Sequence, residues 1–167
     1  MFKKFSFSNH ISKEEEIKII RSDISRTCRS IEDEDFIALD ICDYNYDIDD
    51  AVEELGLDKE TIQQFVESYV VQILKTVSEF EKLISELENK KYNLVENDYI
   101  ALKELAHKNL GVARNLRIQD AQKLLSELMK KNDLRYLRLC LEVLEATAIR
   151  LSANTAYNTL HLLKIQS

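Results

Sequence analysis

His107 is the residue best placed for chemistry in this chain of 167 residues. It lies in the stretch Ile100-Ala101-Leu102-Lys103-Glu104-Leu105-Ala106-His107-Lys108-Asn109-Leu110-Gly111-Val112-Ala113-Arg114-Asn115-Leu116. Leu102, Leu105, Ala106, Val112, Ala113 and Leu116 recur there at helical steps, which predicts an amphipathic helix over residues 98–116. On a wheel of about 100° per residue, His107 points roughly 160° from the centre of the apolar stripe. The imidazole is therefore expected in water, on a rigid element. Lys103, Leu110, Gly111 and Arg114 stand at i−4, i+3, i+4 and i+7 from it and share its face, with Ile100 one turn further back.

A solvated imidazole is largely neutral at pH 7 and offers a ring lone pair. Such a nitrogen can attack a phosphoryl donor, and it needs no separate general base. Cations around the ring would stabilise the charge that arrives, with Lys103, Lys108 and Arg114 as the candidates. From Lys103 to Arg117 four cations oppose Glu104, a net of +3, which leaves −10 on the remainder of a chain of net charge −7. Gly111 inside a helix costs about 1 kcal/mol against alanine. Close approach of another surface to His107 is a physical reason to keep it, with Ile100 and Leu110 as exposed apolar contacts beside it.

Other polar groups make weaker patterns. Asp43, Asn45, Asp47, Asp49 and Glu54 approximate an EF-hand loop, but Ile48 stands where the sharp turn needs glycine. The segment reads as a solvated acidic linker. His10 carries no motif, His161 reads as a partly exposed helix residue, and three scattered histidines make no zinc pattern. No metal or cofactor is predicted. There is no Gly-rich phosphate loop, so ATP-dependent kinase activity is not expected. The net charge argues against a nucleic-acid partner. Cys28, Cys42 and Cys140 are odd in number and widely spaced, which suggests reduced thiols in a cytoplasmic protein. The first eight residues lack the apolar stretch of a signal peptide. No run approaches the ~18 apolar residues of a membrane span, so no membrane role is predicted.

The elements that must position His107 follow from the apolar spacing. The chain is 45% apolar, with two glycines and no proline, a composition that suits long helices. Ser12-Lys13-Glu14-Glu15 is a capping box that opens an amphipathic helix carrying Ile17, Ile20, Ile24, Cys28 and Ile31. An acidic run, Glu32–Asp35, reads as a solvated face. A short helix over 50–55 ends at Gly56, and Asp58 caps a long helix over 59–89. Further helices are predicted over 119–131 and from Asp133 to as far as Leu163. The expected fold is all-α: an antiparallel four-helix bundle over 47–167, preceded by a 1–46 extension with an additional N-terminal helix. A heptad-like seam over Leu134–Leu151 suits either bundle packing or a dimer, and the oligomeric state is open.

The segment from Ala106 to Arg117 resembles the signature of histidine-containing phosphotransfer (HPt) domains, in outline A-H-x-L-K-G-x-x-x-x-[LI]-G. Ala106, His107, Gly111 and Leu116 match in register. The helix order also fits, and the resemblance covers about residues 48–155. Three positions depart: Leu110 stands for the usual lysine, Asn109 for the usual leucine, and Arg117 for the closing glycine. The resemblance implies a phosphorelay carrier, phosphorylated on His107, that exchanges a phosphoryl group with aspartates of response-regulator receiver domains or receives it from a histidine kinase. Gly111 would make room for the receiver, and Ile100 and Leu110 would join the docking surface. The alternative is a degenerate member that binds a receiver or kinase without carrying phosphate.

Overall fold

The computed structural model describes residues 11–90 and 92–166. The N-terminal arm with His10 lies outside the described residues. The chain forms α1 (Lys13–Arg29), α2 (Glu34–Ile37), α3 (Ile48–Leu55), α4 (Lys59–Glu88), α5 (Ile100–Asn115), α6 (Gln119–Lys130), α7 (Leu134–Leu151) and α8 (Ala153–Gln166). A 3-10 turn, Glu96–Tyr99, leads into α5, and the described residues include no strand. Among them no helix is long and apolar enough to cross a membrane.

Local chemistry sets the helix starts. Ser12 and Glu15 exchange hydrogen bonds as a capping box on α1. Asp58 accepts from the Thr61 N–H at 2.9 Å and opens α4. Asp33 caps α2 and Asp133 caps α7 in the same way. Gly56 closes α3 at φ 65°, a left-handed conformation that glycine adopts without a Cβ clash. The acidic run at 32–35 is exposed, and Asp33 within it also does this capping work.

The α4 helix is the axis of the core. Its apolar stripe, Ile62, Val66, Tyr69, Ile73, Val77, Phe80, Ile84 and Leu87, is buried throughout. It packs against α5, α7 and α8, while α5 packs on α6 and α6 on α7. The helices α4 to α7 thus close a ring around one apolar interior. The predicted extension is not separate from it: α1 lies on α7 and α8, and Ile20, Ile24, Phe36 and Ile41 share the same core. The heptad seam of α7 is used inside the chain, with Leu137, Leu141, Leu144 and Ala148 all buried.

Two expectations need correction. The last helix does not run unbroken to Leu163. Ser152 leaves helical geometry at φ −149°, and its carbonyl accepts from Ala156 N–H at 2.9 Å to start α8. A serine favours such a boundary because its hydroxyl bonds locally, here with Thr155 at 3.0 Å. The break lets α8 turn back onto α4 and α7. The second correction concerns the thiols. Cys28 and Cys42 form a disulfide with Cα atoms 5.7 Å apart. Fourteen residues separate them, but α2 and its flanking turns fold the chain back onto the end of α1. Only Cys140 is free; it is buried, and burial pushes its thiol up to about 12.

Candidate functional site

Both ends of α5 are tied to the rest of the molecule. At its start, Asp98 accepts from the Val95 N–H at 2.8 Å and pairs with Lys90. The buried Tyr99 donates its hydroxyl to the Asn132 carbonyl at 2.8 Å, joining this turn to the α6–α7 connection. At its end, the Tyr46 hydroxyl donates to Leu116 O at 2.8 Å and that of Tyr44 to Arg117 O at 3.2 Å. These bonds satisfy carbonyls that a helix terminus leaves open. Arg117, at the position of the motif's closing glycine, has φ 58° and pairs with Glu54 at 2.6 Å. Glycine adopts that backbone without strain, so the glycine of the pattern has a conformational reason.

Between these anchors His107 is exposed on the outer face of α5. Ile100 beside it is 49% exposed. A Cβ built on Gly111 would meet nothing within 4 Å, so packing inside the chain does not require the glycine. Lys108 and Arg114 are exposed and have no carboxylate partner among the described residues. With the exposed Glu104 one turn before His107, these residues form an open surface of two cations, one carboxylate and an apolar edge.

Two predicted site residues lie elsewhere. Leu110 is buried at 3% exposure and belongs to the core, so it does not join a docking surface. The buried residues of α5 are Leu102, Ala106, Asn109, Leu110 and Ala113, whereas Leu105 and Val112 are only half-buried. The buried face is therefore turned by roughly 40° from the sequence estimate, toward Leu110. The cause is that α5 is wedged between α4 and α6, so the axis of burial is set by two neighbours and not by the mean apolar direction. Lys103 is committed to Glu96, whose carboxyl it holds below the usual range, and lies 5.9 Å from the Tyr99 ring. It braces the start of α5 and leaves Lys108 and Arg114 as the unpaired cations of the face.

Asn109, the motif's polar substitute, is 2% exposed. Its amide donates to Leu105 O at 2.8 Å and accepts from Gln72 at 3.4 Å, which meets the need of a buried side-chain amide. A polar link thus joins α5 to α4 directly beneath the histidine turn.

No family model, no curated protein and no solved structure matches this chain.

The remaining candidates are absorbed by structure. Asp43 pairs with Arg29, Asp49 with Lys59, and Asp47 caps α3, so the calcium-like segment serves as linker and cap. His161 is exposed, with its ring parallel to that of Tyr157 at 6.4 Å between centroids. Sequence reasoning missed a second polar centre. Asp120, 4% exposed in the first turn of α6, pairs with Arg150 of α7 at 3.2 Å. Burial pushes its carboxyl up, opposed by a hydrogen bond from the Ala121 N–H and by the Arg150 charge. A signal was present, because Asp120 lies four residues before Leu124 and so falls on the apolar stripe of its helix.

Proposed function

We propose that this chain is a phosphorelay carrier, an HPt-like protein that accepts and donates a phosphoryl group on His107. The observation that carries the reading is an exposed imidazole on a braced helix, with Gly111 one turn on and open space above it. In this reading α4 to α7 form the antiparallel four-helix bundle, and α1 is an added helix. The partners are receiver domains, a histidine kinase, or both. A His107 ring nitrogen attacks the phosphorus of an aspartyl phosphate, the P–O bond to the aspartate breaks, and the carboxylate leaves. The other ring nitrogen releases its proton. Lys108 and Arg114 are long, exposed and without a carboxylate partner among the described residues, so they can turn toward the incoming charge. The reading places the protein in the cytoplasm, where the Cys28–Cys42 disulfide would be open to thiol reductants.

The test is to incubate the chain with a phosphorylated receiver and examine the stability of the label. Acid-labile, base-stable phosphate is expected, and it should vanish in His107→Gln. If that variant labels as well as wild type, the assignment is wrong.

One observation favours a second reading, a binding module that never carries phosphate. Leu110, which stands for the pattern's lysine, is buried, and Lys103, one turn before the histidine, is held by Glu96, so neither supplies a free cation. Receiver binding without any label would select this alternative.

A further inference from the structure

Residues 44–46, the first turn of α6 and the C-terminal end of α7 line a cavity of about 200 Å³. That is below the ~300–1,000 Å³ of pockets for drug-sized ligands, so it suits a molecule of a few heavy atoms. Its wall is electrically balanced. Asp120 and Arg150 are its charged side chains, and they pair with each other at 3.2 Å. The helix ends around it offset one another as well. Beside it α5 ends at Asn115 and α7 at Leu151, while α6 begins at Gln119 and α8 at Ala153. Helix C-termini carry partial negative charge and N-termini partial positive charge. An ion of either sign would give up its hydration here and meet no matching net charge. The occupant that the electrostatics favour is neutral.

The same wall keeps hydrogen-bonding capacity of both kinds. A guanidinium has five N–H groups. Arg150 gives one to Cys42 O at 2.9 Å, and two from its other terminal nitrogen go to Ile41 O and Asp120, which leaves two of the five as donors. The Tyr46 hydroxyl gives its proton to Leu116 O, and burial pushes it up to about 12, so it stays a neutral phenol. The Thr147 hydroxyl gives its proton to Leu144 O. Tyr46 and Thr147 thus offer lone pairs alone. Asn45 adds an amide whose side-chain bond among the described residues is a 3.4 Å donation to Asp43 O. The Tyr44 hydroxyl is already engaged, donating to Arg117 O and accepting from the Gln119 N–H. Its ring and Leu151 supply apolar wall.

A primary carboxamide is a neutral group that meets both needs. Its oxygen has two lone pairs and its nitrogen two protons, whereas an alcohol has one proton and a ketone none. We propose that this cavity binds a small primary carboxamide, with its oxygen toward the remaining Arg150 N–H groups, its NH2 toward Tyr46 and Thr147, and its alkyl part against Leu151. The site is independent of the reading of His107.

Acetamide is the probe, titrated into the 15N-labelled full chain. Acetone, sodium acetate and ethylammonium chloride are controls of similar size, with ionic strength held by sodium chloride. Saturable amide shifts are expected at residues 44–46 and 147–151 with acetamide. Acetone, which only accepts, should bind at least fivefold more weakly, and the two ions at least tenfold. Leu151→Trp fills the cavity, keeps the Asp120–Arg150 pair and should weaken acetamide at least tenfold. Thr147→Val removes one acceptor at nearly constant shape; it should weaken acetamide at least threefold and leave acetone unchanged. Each variant is compared once its amide spectrum shows the native fold, and the four ligands on the wild-type chain decide without them. The proposal is overturned if acetamide gives no saturable shift, which would mean that water alone fills the space. It is also overturned if acetone or either ion binds as tightly, or if a folded variant binds acetamide as well as wild type.

Discussion

Around His107 the outer face of α5 is left to solvent, whereas the C-terminal end of the same helix is held from several directions. Tyr46 and Tyr44 cover the Leu116 and Arg117 carbonyls, Glu54 holds Arg117, and Arg150 clamps the segment that carries the two tyrosines. The Cys28–Cys42 disulfide fastens that segment to α1. On the open face, Lys108 and Arg114 have no carboxylate partner among the described residues, and a Cβ on Gly111 would meet nothing within 4 Å. The difference separates two kinds of residue on one helix. Those at the end maintain the fold, and those on the face are free to meet another molecule.

Changes at the fastened end should therefore cost stability and leave phosphate labelling alone. Cys42→Ser opens a closure of 14 residues. The expected loss is about 3 kcal/mol, from the chain entropy returned to the unfolded state, read by urea denaturation without reductant. Labelling of His107 should persist in the folded fraction. A variant that keeps its stability but loses labelling would break the comparison.

A pH-dependent cost of similar size comes from neither region. Glu145 on α7 is pushed up from 4.5 to about 7 by burial, with Glu81 and Glu142 adding to the shift. Below the ordinary glutamate range both the folded and unfolded carboxyls are protonated, and the group costs nothing. As pH rises from 4.5 toward 7, the unfolded chain releases the proton first and stability falls. Glu145→Gln should thus stabilise the protein by about 3 kcal/mol at pH 8 and have little effect at pH 4. Denaturation midpoints at the two pH values check this. Equal gains at both would remove the buried carboxyl as the cause.

The smallest stability effects belong to the open face. Gly111→Ala should gain up to about 1 kcal/mol, because the helix interior prefers alanine and the methyl meets no neighbour. The same methyl should weaken a receiver that approaches closely. A loss of stability would mean that the glycine serves internal packing; a gain with unchanged partner affinity would mean that no partner contacts that turn. His107→Gln should shift stability by less than ~0.5 kcal/mol, as exposed substitutions do.

Much of the helical frame was legible in the sequence because it depends on local signals. Ser12, Asp58 and Asp133 act on N–H groups within three residues, and the α4 stripe repeats regularly enough to show its buried face. The exposure of His107 was readable for the same reason. Leu110 was misplaced because two neighbours, α4 and α6, set the burial axis of α5. The disulfide, the cavity and the Tyr46–Leu116 bond join groups whose meeting is decided by how chain segments turn, and no local pattern encodes that. The turn at Ser152 was missed because no glycine or proline stands there to mark it. One polar residue with a hydroxyl partner is enough to divide α7 from α8.

The most direct test of the free histidine uses phosphoramidate, a donor small enough to need no docking surface. Imidazole 1H–15N spectra of the full chain would be followed as the donor is added, with assignment by His107→Gln. The account predicts that the His107 ring is modified ahead of His10 and His161, and that the variant lacks that signal. Modification of another histidine while His107 stays unchanged would contradict it.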